Sequence, residues 1–284
     1  MDFAVGVTLD TLTSIASVVL IVVGFYLVYG LMRVVNMAHG DLMMMGAMCT
    51  SLVTQHGGGY WLGVLVATIV VAAVGLTAER LVIRHLYRRD SSMTLLATWG
   101  MSLVVIECVR LAFGPSGRFV DTPTDTILTL GAVPYPLYSL ILVIAAAAVI
   151  GVLWLILYIT PVGMRVRATM EDPKQAQFIG INVQLVYAIT FTTGAALAGM
   201  AGALLAPRSA VTPQMGSELT LIAFLVVITG GVRSLLAPLA GSVLIGGVRS
   251  LLSSFFGVTT ASIGMLVTVI VVLFLLPKGL VPEE

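Results

Sequence analysis

The chain has 284 residues, of which 59% are hydrophobic and only 10% charged, with a formal net charge of +1 and a mean hydropathy of +1.10. These values exclude a soluble globular domain and identify a multispanning membrane protein. A near-neutral balance also excludes the global basic field that nucleic-acid binding uses, so what matters is where the fourteen Lys and Arg fall along the chain.

A hydrocarbon core of about 30 Å takes about 20 apolar residues of helix. The N-terminus, MDFAVGVTLDTLTS, has no basic n-region and no small-residue cleavage site, so the first apolar run, about Leu12 to Met32, is expected to stay in the protein. A polar break, Arg33 to Asp41, precedes a short run from Leu42 to Val53 that ends at Gln55-His56-Gly57-Gly58-Gly59. Trp61 to Ile83 is a third run, followed by a basic loop with Arg84, His85, Arg88 and Arg89. Met93 to Phe113 is a fourth, and Gly114 to Pro136 a loop rich in Gly, Pro and Thr. Leu137 to Ile159 is the fifth run and Val183 to Ala206 the sixth, with the densely polar stretch Pro161 to Asn182 between them. A short run, Leu219 to Gly231, breaks at Gly230-Gly231, and two more cover Leu235 to Phe256 and Val258 to Leu276. The fold class is an all-α integral membrane protein of about eight or nine transmembrane or re-entrant helices.

Short cytoplasmic loops collect Lys and Arg. Placing Arg33, Arg80, Arg84, Arg88, Arg89, Arg165, Arg167, Lys174, Arg233 and Lys278 on one side gathers ten of the fourteen basic residues there. That side is read as cytoplasmic, which puts the N-terminus outside and both the Pro161 to Asn182 loop and the C-terminus inside.

The polar stretch predicts its own structure. Pro161 and Gly163 are read as the end of the fifth span, and Arg165 and Arg167 hold the following residues at or beyond the headgroups. Asp172 ahead of Pro173 starts a short helix, because a carboxylate accepts orphan N–H groups and proline suits the first helical position. Gly180 stops it. The helix would present Ala176, Phe178 and Ile179, either to a groove in another protein or, as an interfacial linker, to the lipid headgroups.

Elsewhere, His39 and Asp41 invite a metal or proton-relay reading, but no second histidine stands at ligand spacing. The simpler reading is a broken helix in which Gly40 permits a turn and Asp41 caps the run after it, with the unwound backbone buried in protein or lining a cavity. The short runs before Val53 and before Gly231 occupy loosely corresponding places in the two halves, as paired broken segments of transporters do. On that basis Asn36, His39, Gly40, Asp41, Gly46, Gly230 and Gly231 are candidates for the translocation pathway. The sixth span carries small residues at four-residue spacing, Gly194, Ala198 and Gly202 beside Ala195, Gly199 and Ala203, which suits close helix packing with either the same chain or a partner. Glu107 and Arg110 are spaced to pair across a helical turn. Arg249 has no local partner. Cys49 and Cys108 read as small buried residues, and Met43-Met44-Met45 as adaptable apolar contacts with lipid or helices.

Gly163, Arg167-Ala168, Asp172, Ala176 and Gly180-Ile181-Asn182, continuing into TFTTGAALAGMAGALLAP, closely resemble the cytoplasmic-loop signature of branched-chain amino acid permeases of ATP-binding-cassette importers, in particular the LivH-type subunit. YGLMRVVNMAHGDLMMMGAM (Tyr29 to Met48) resembles that family's second hallmark, and Pro277-Lys278-Gly279-Leu280 its C-terminal ending, although leucine and proline precede the lysine here. The resemblance spans nearly the whole chain and implies one permease domain over residues 1–284. It implies that Gly163, Arg165, Arg167, Ala168, Asp172, Pro173, Ala176, Phe178 and Gly180 belong to a coupling loop that docks on a separate ATPase. It also implies a LivM-like second permease, two ATPases, an extracytoplasmic binding protein and the bacterial inner membrane as surroundings.

The chain has no G-x-x-x-x-G-K-[ST] phosphate loop, so no cofactor is assigned to it and any ATP is used by the partner. A permease for urea, short amides or another small solute is the alternative within the family. A stand-alone secondary transporter would normally place coupling carboxylates mid-span, and the spans hold few. An intramembrane enzyme lacks G-x-S-x-G, H-E-x-x-H and a carboxylate pair.

Overall fold

The computed structural model describes residues 2–87, 89–130, 133–232, 234–277 and 279–281. Arg88, Arg233 and Lys278, counted above among the cytoplasmic charges, lie outside the described residues. The elements are α1 (Asp2–Met32), α2 (His39–Gln55), α3 (Tyr60–Leu81), α4 (Ser91–Phe113), β1 (Ile127–Leu130), β2 (Val133–Pro136), α5 (Leu137–Ile159), α6 (Pro161–Glu171), α7 (Pro173–Phe178), α8 (Val183–Leu205), α9 (Met215–Gly230), α10 (Leu236–Phe256) and α11 (Val258–Leu275). Seven of these helices, α1, α3, α4, α5, α8, α10 and α11, are long and apolar enough to cross a membrane. At a rise of about 1.5 Å per residue, the 17 residues of α2 and the 16 of α9 span about 25 Å and fall short of a full crossing. The fold is therefore the helical membrane architecture expected, with seven span-length helices and one shorter apolar helix, α9, among the described residues.

Three local expectations are corrected. Pro161 and Gly163 do not simply end the fifth span: Pro161 opens α6, with the Thr160 hydroxyl accepting from the Gly163 amide at 3.2 Å. Thr-Pro supplies the same start chemistry as Asp-Pro. The loop between α4 and α5 contains an antiparallel hairpin, β1 on β2, with Ile127 opposite Pro136. Its prolines tolerate this because a two-stranded ribbon leaves each strand an unpaired edge. Cys108 is exposed on α4 and Cys49 only partly buried; both thiols are free.

The chain divides into two compact units. One comprises residues 1–22, 122–149 and 222–284. In it the Ser14 hydroxyl donates to the Gly246 carbonyl at 3.0 Å, Thr11 to Ser250 at 3.1 Å, and the Thr13 and Tyr135 hydroxyls lie 2.8 Å apart, so polar side chains join α1, α10 and the hairpin. Gly231, at φ 107°, makes the turn after α9, and the C-terminal tail folds onto it. The amides of Leu280 and Val281 donate to the carbonyls of Thr229 and Gly230 at 2.9 and 3.2 Å.

The other unit, residues 23–121 and 150–221, is built on α2, α3 and α8. Burying apolar surface against apolar lipid supplies no drive in a membrane, so close approach of small residues does the work. A Cβ at Gly46 would strike the Gly199 backbone, one at Gly202 the Met43 carbonyl, and one at Gly75 the Ala195 Cβ. A Cβ at Gly199 would lie 2.6 Å from Val71 Cβ, and one at Gly24 of α1 2.7 Å from the Gly194 carbonyl and 3.3 Å from the Ala198 amide. The stripes of α8 thus meet α1, α2 and α3 of the same chain. Met43 and Met44 are fully buried in this packing rather than facing lipid.

Candidate functional site

Two places within the second unit gather the residues singled out from the sequence. The first is the helix break. After α1, Arg33 turns left-handed at φ 53°, its amide donating to the Tyr29 carbonyl at 2.9 Å. Asn36 then organises the start of α2: its Oδ1 accepts from the Ala38 amide at 3.1 Å and its carbonyl from the His39 amide at 3.2 Å. Asp41 makes no cap bond, contrary to expectation, because α2 begins at His39 and leaves Asp41 inside the first turn. Gly40 is not at a positive φ either. Its role is close approach, since a Cβ there would strike the Gly216 carbonyl of α9 and stand 2.6 Å from Thr220 Oγ1.

Two threonines that sequence reasoning passed over stitch this break. The Met37 amide donates to Thr98 Oγ1 at 3.2 Å, and Thr98 lies 3.2 Å from the Val35 carbonyl. The Gly40 amide donates to Thr220 Oγ1 at 2.9 Å, and the same hydroxyl reaches the Met37 and Gly216 carbonyls at 3.2 and 3.0 Å. A threonine inside an apolar helix was the available signal, but its reach depends on which strand of backbone lies beside it. The outcome is that the N-terminal turns of the two short helices, α2 and α9, meet at Gly40 and Gly216.

Burial at the break is nearly complete. Asn36, His39 and Asp41 are at most 1% exposed. The His39 ring meets Phe25 edge-on at 5.4 Å between centroids. Ser102 of α4 faces the Asp41 carboxylate. No group of three or more metal-ligating side chains occurs among the described residues. Gly46 belongs to the same unit and packs on Gly199, whereas Gly230 and Gly231 belong to the first unit. There Gly230 lies against Ala237 and Pro238, and Gly231 carries the turn described above.

The second place is the polar stretch. Asp172 caps α7 in an extended conformation, its Oδ1 accepting from the Lys174 and Gln175 amides at 2.8 and 3.1 Å, with Pro173 at the first helical position. Gly180 follows at φ 86°, and the Gly180 and Ile181 amides close back onto the Gln177 and Ala176 carbonyls at 3.0 Å each. Asn182 immediately caps α8 through the Leu185 amide at 3.1 Å. The predicted capped, glycine-stopped helix is present. Ala176 faces inward at 2% exposure, a correction to its expected presentation, while Phe178 and Ile179 stand 89% and 74% exposed.

Preceding α7, α6 buries Gly163, Val166 and Thr169, and a Cβ at Gly163 would strike the Ile156 and Leu157 carbonyls. Arg165 and Ala168 share α6; the Arg167 guanidinium lies 5.2 Å over the Tyr158 ring. A groove of about 410 Å³ runs between α6, the Gly180 turn and α8, lined by Val162, Arg165, Ile181 and Leu185 among others. Beside the first turn of α8, Arg84 donates to Gln184 at 2.7 Å, and the Tyr87 and Tyr187 rings meet at a tilt with centroids 4.8 Å apart. Neither contact was foreseen, because the loop after α3 and the start of α8 lie about a hundred residues apart.

The description of the family that matches residues 7–276 is "Branched-chain amino acid transport system / permease component". The chain is 28% identical to the high-affinity branched-chain amino acid transport system permease protein LivH of Escherichia coli, covering 97% of this chain and 92% of that one. It is 24% identical to LivM of the same organism, over 97% of this chain and 70% of that one. Among solved structures, PsaBC from Streptococcus pneumoniae in complex with Fab superposes with a TM-score of 0.56 at 12% identity, covering 95% of this chain and 91% of that chain, a likeness of fold alone. With the family matched over nearly its whole length, this multi-pass membrane protein belongs to the permease component family of branched-chain amino acid transport systems.

Proposed function

We propose that the chain is the membrane-spanning permease subunit of an ATP-binding-cassette importer that passes branched-chain or related apolar amino acids into the cytoplasm. The match over residues 7–276 carries this reading. The residues from Gly163 to Asn182 couple it to a separate ATPase, which alone uses ATP. A short helix capped at both ends that leaves Phe178 and Ile179 exposed is the shape a partner groove accepts. The chain itself catalyses no reaction.

The same reading supplies the surroundings. A LivM-like permease completes the pore, two ATPases bind the cytoplasmic face, and a binding protein delivers solute outside. The likeness to both LivH and LivM supports pairing of two related permeases. The chain sits in the inner membrane of a bacterium, N-terminus outside and C-terminus in the cytoplasm, as the distribution of Lys and Arg favours. The break at Asn36 to Asp41, with His39 and Gly40, lies on the solute path, and Gly46, Gly230 and Gly231 are assigned to the same path.

The test is uptake into proteoliposomes holding the full complex, with radiolabelled leucine, isoleucine and valine set against urea and acetamide. Uptake of the branched-chain amino acids that requires ATP on the cytoplasmic face is expected. Uptake driven by an ion gradient with no ATPase subunit bound would overturn the reading.

A further inference from the structure

Asp41 is 1% exposed, and neither of its carboxylate oxygens has a hydrogen-bond partner among the described residues. The Ser102 hydroxyl faces it without reaching hydrogen-bond geometry. Asn36 is equally buried at 1%, and its Nδ2 also has no acceptor. The amide orientation is not arbitrary, because Oδ1 is engaged by the Ala38 amide and Nδ2 is left over. A buried polar atom left unpaired costs about 1–3 kcal/mol, and a charged one more. One helix break therefore holds two unmet demands of opposite sense, an anionic acceptor and a neutral donor.

A bare cation would answer the carboxylate and leave the amide donor unmet. Urea, having no charge, would leave the carboxylate without a counter-charge. A ligand with a cation and an acceptor oxygen a few atoms apart answers both, and an α-amino acid zwitterion is such a ligand. The seam between α2 and α9 is Gly40 against Gly216, held by the Thr220 hydroxyl and by no interlocking side chains at those two positions, and a Cβ at Gly216 would strike Asp41 Oδ1.

We propose that Asp41 receives the α-ammonium, and Asn36 the α-carboxylate, of the transported amino acid when the Gly40–Gly216 seam parts. This rests on the importer reading and names how that path recognises its solute. The side chain of the solute plays no part in these two contacts.

The experiment uses the complete permease–ATPase complex, in nanodiscs for thermal shifts and in proteoliposomes with the substrate-binding protein supplied for uptake. Leucine is expected to raise the thermal midpoint of the wild-type complex. The analogues 4-methylpentanoate, which lacks the ammonium, and 3-methylbutylamine, which lacks the carboxylate, should each shift it by less than half as much. Asp41→Asn and Asn36→Asp are isosteric. Asp41→Asn should raise the midpoint without ligand, because an unmet charge is gone, while erasing the leucine shift and lowering leucine uptake about tenfold or more. Asn36→Asp keeps the Oδ1 that the Ala38 amide needs, and should lose uptake by repelling the carboxylate.

A shift by 3-methylbutylamine equal to that by leucine overturns the two-pole site. So does leucine uptake by Asp41→Asn within about twofold of wild type. In that second case ATP-driven uptake by the wild type still stands and only this inference fails. A wild-type complex with no ATP-driven uptake of leucine, isoleucine or valine brings down the importer reading itself.

Discussion

Glu79 is 1% exposed near the end of α3 and accepts the Tyr87 hydroxyl at 2.7 Å. Tyr87 lies beyond the span, and its phenol is pushed above its ordinary range by burial first and by the neighbouring Glu79 second. A group whose folded pKa is raised contributes stability that is whole below its unfolded value, about 10, and is lost as pH rises beyond it. Wild-type thermal stability should therefore fall above about pH 10, and Tyr87→Phe should flatten that fall; an unchanged alkaline profile would count against the assignment. Glycines divide sharply at this scale. Gly202→Val places a branched side chain on the Met43 carbonyl and should cost about 1–3 kcal/mol or more in the unfolding of the purified complex. Gly100→Ala, on the open side of α4 where a Cβ would have no atom of the described residues within 4 Å, should be neutral or stabilising by up to about 1 kcal/mol. Sequence shows both as glycines in apolar helices. Only the neighbour across the gap separates them.

Among the elements, α7 was legible because its signals are local: an Asx cap, a proline at the first position and a glycine stop within one short stretch. Asp172→Ala removes acceptors for two amides and should cost the helix about 1 kcal/mol, whereas Asp172→Asn retains a capping oxygen. In an assembled complex, substrate-stimulated ATP hydrolysis should fall with Asp172→Ala and recover with Asp172→Asn. Equal coupling in all three would remove α7 from the transmission of motion. The hairpin was not legible, since prolines at Pro134 and Pro136 argue against strands and only the pairing with Ile127–Leu130 rescues them. Helix α6 was missed for a related reason. A proline after a long span reads as a terminator, and whether the chain stops or restarts there depends on the Thr160 hydroxyl finding the Gly163 amide.

For the whole molecule, the distribution of basic residues makes a prediction about sides. In a background with Cys49 and Cys108 replaced by alanine, Phe178→Cys should react with a membrane-impermeant maleimide only from the cytoplasmic face, and Phe119→Cys only from the outer face. Both native side chains are highly exposed, 89% and 77%, so protection would reflect sidedness rather than burial. Reaction of both from one face would invert or break the topology. The approximate number and placing of the membrane helices followed from the sequence alone, because hydrocarbon demands that every backbone group be satisfied within a long apolar helix. That demand leaves its mark on composition residue by residue. What the tertiary structure decided was partnership: α8 faces α1, α2 and α3 of its own chain, the short helices α2 and α9 meet at their N-terminal turns, and Asn36 and Asp41 keep polar atoms unmet among the described residues. A stripe of small residues permits a close neighbour without naming it, and a polar side chain is satisfied or orphaned only by what arrives beside it from elsewhere in the chain.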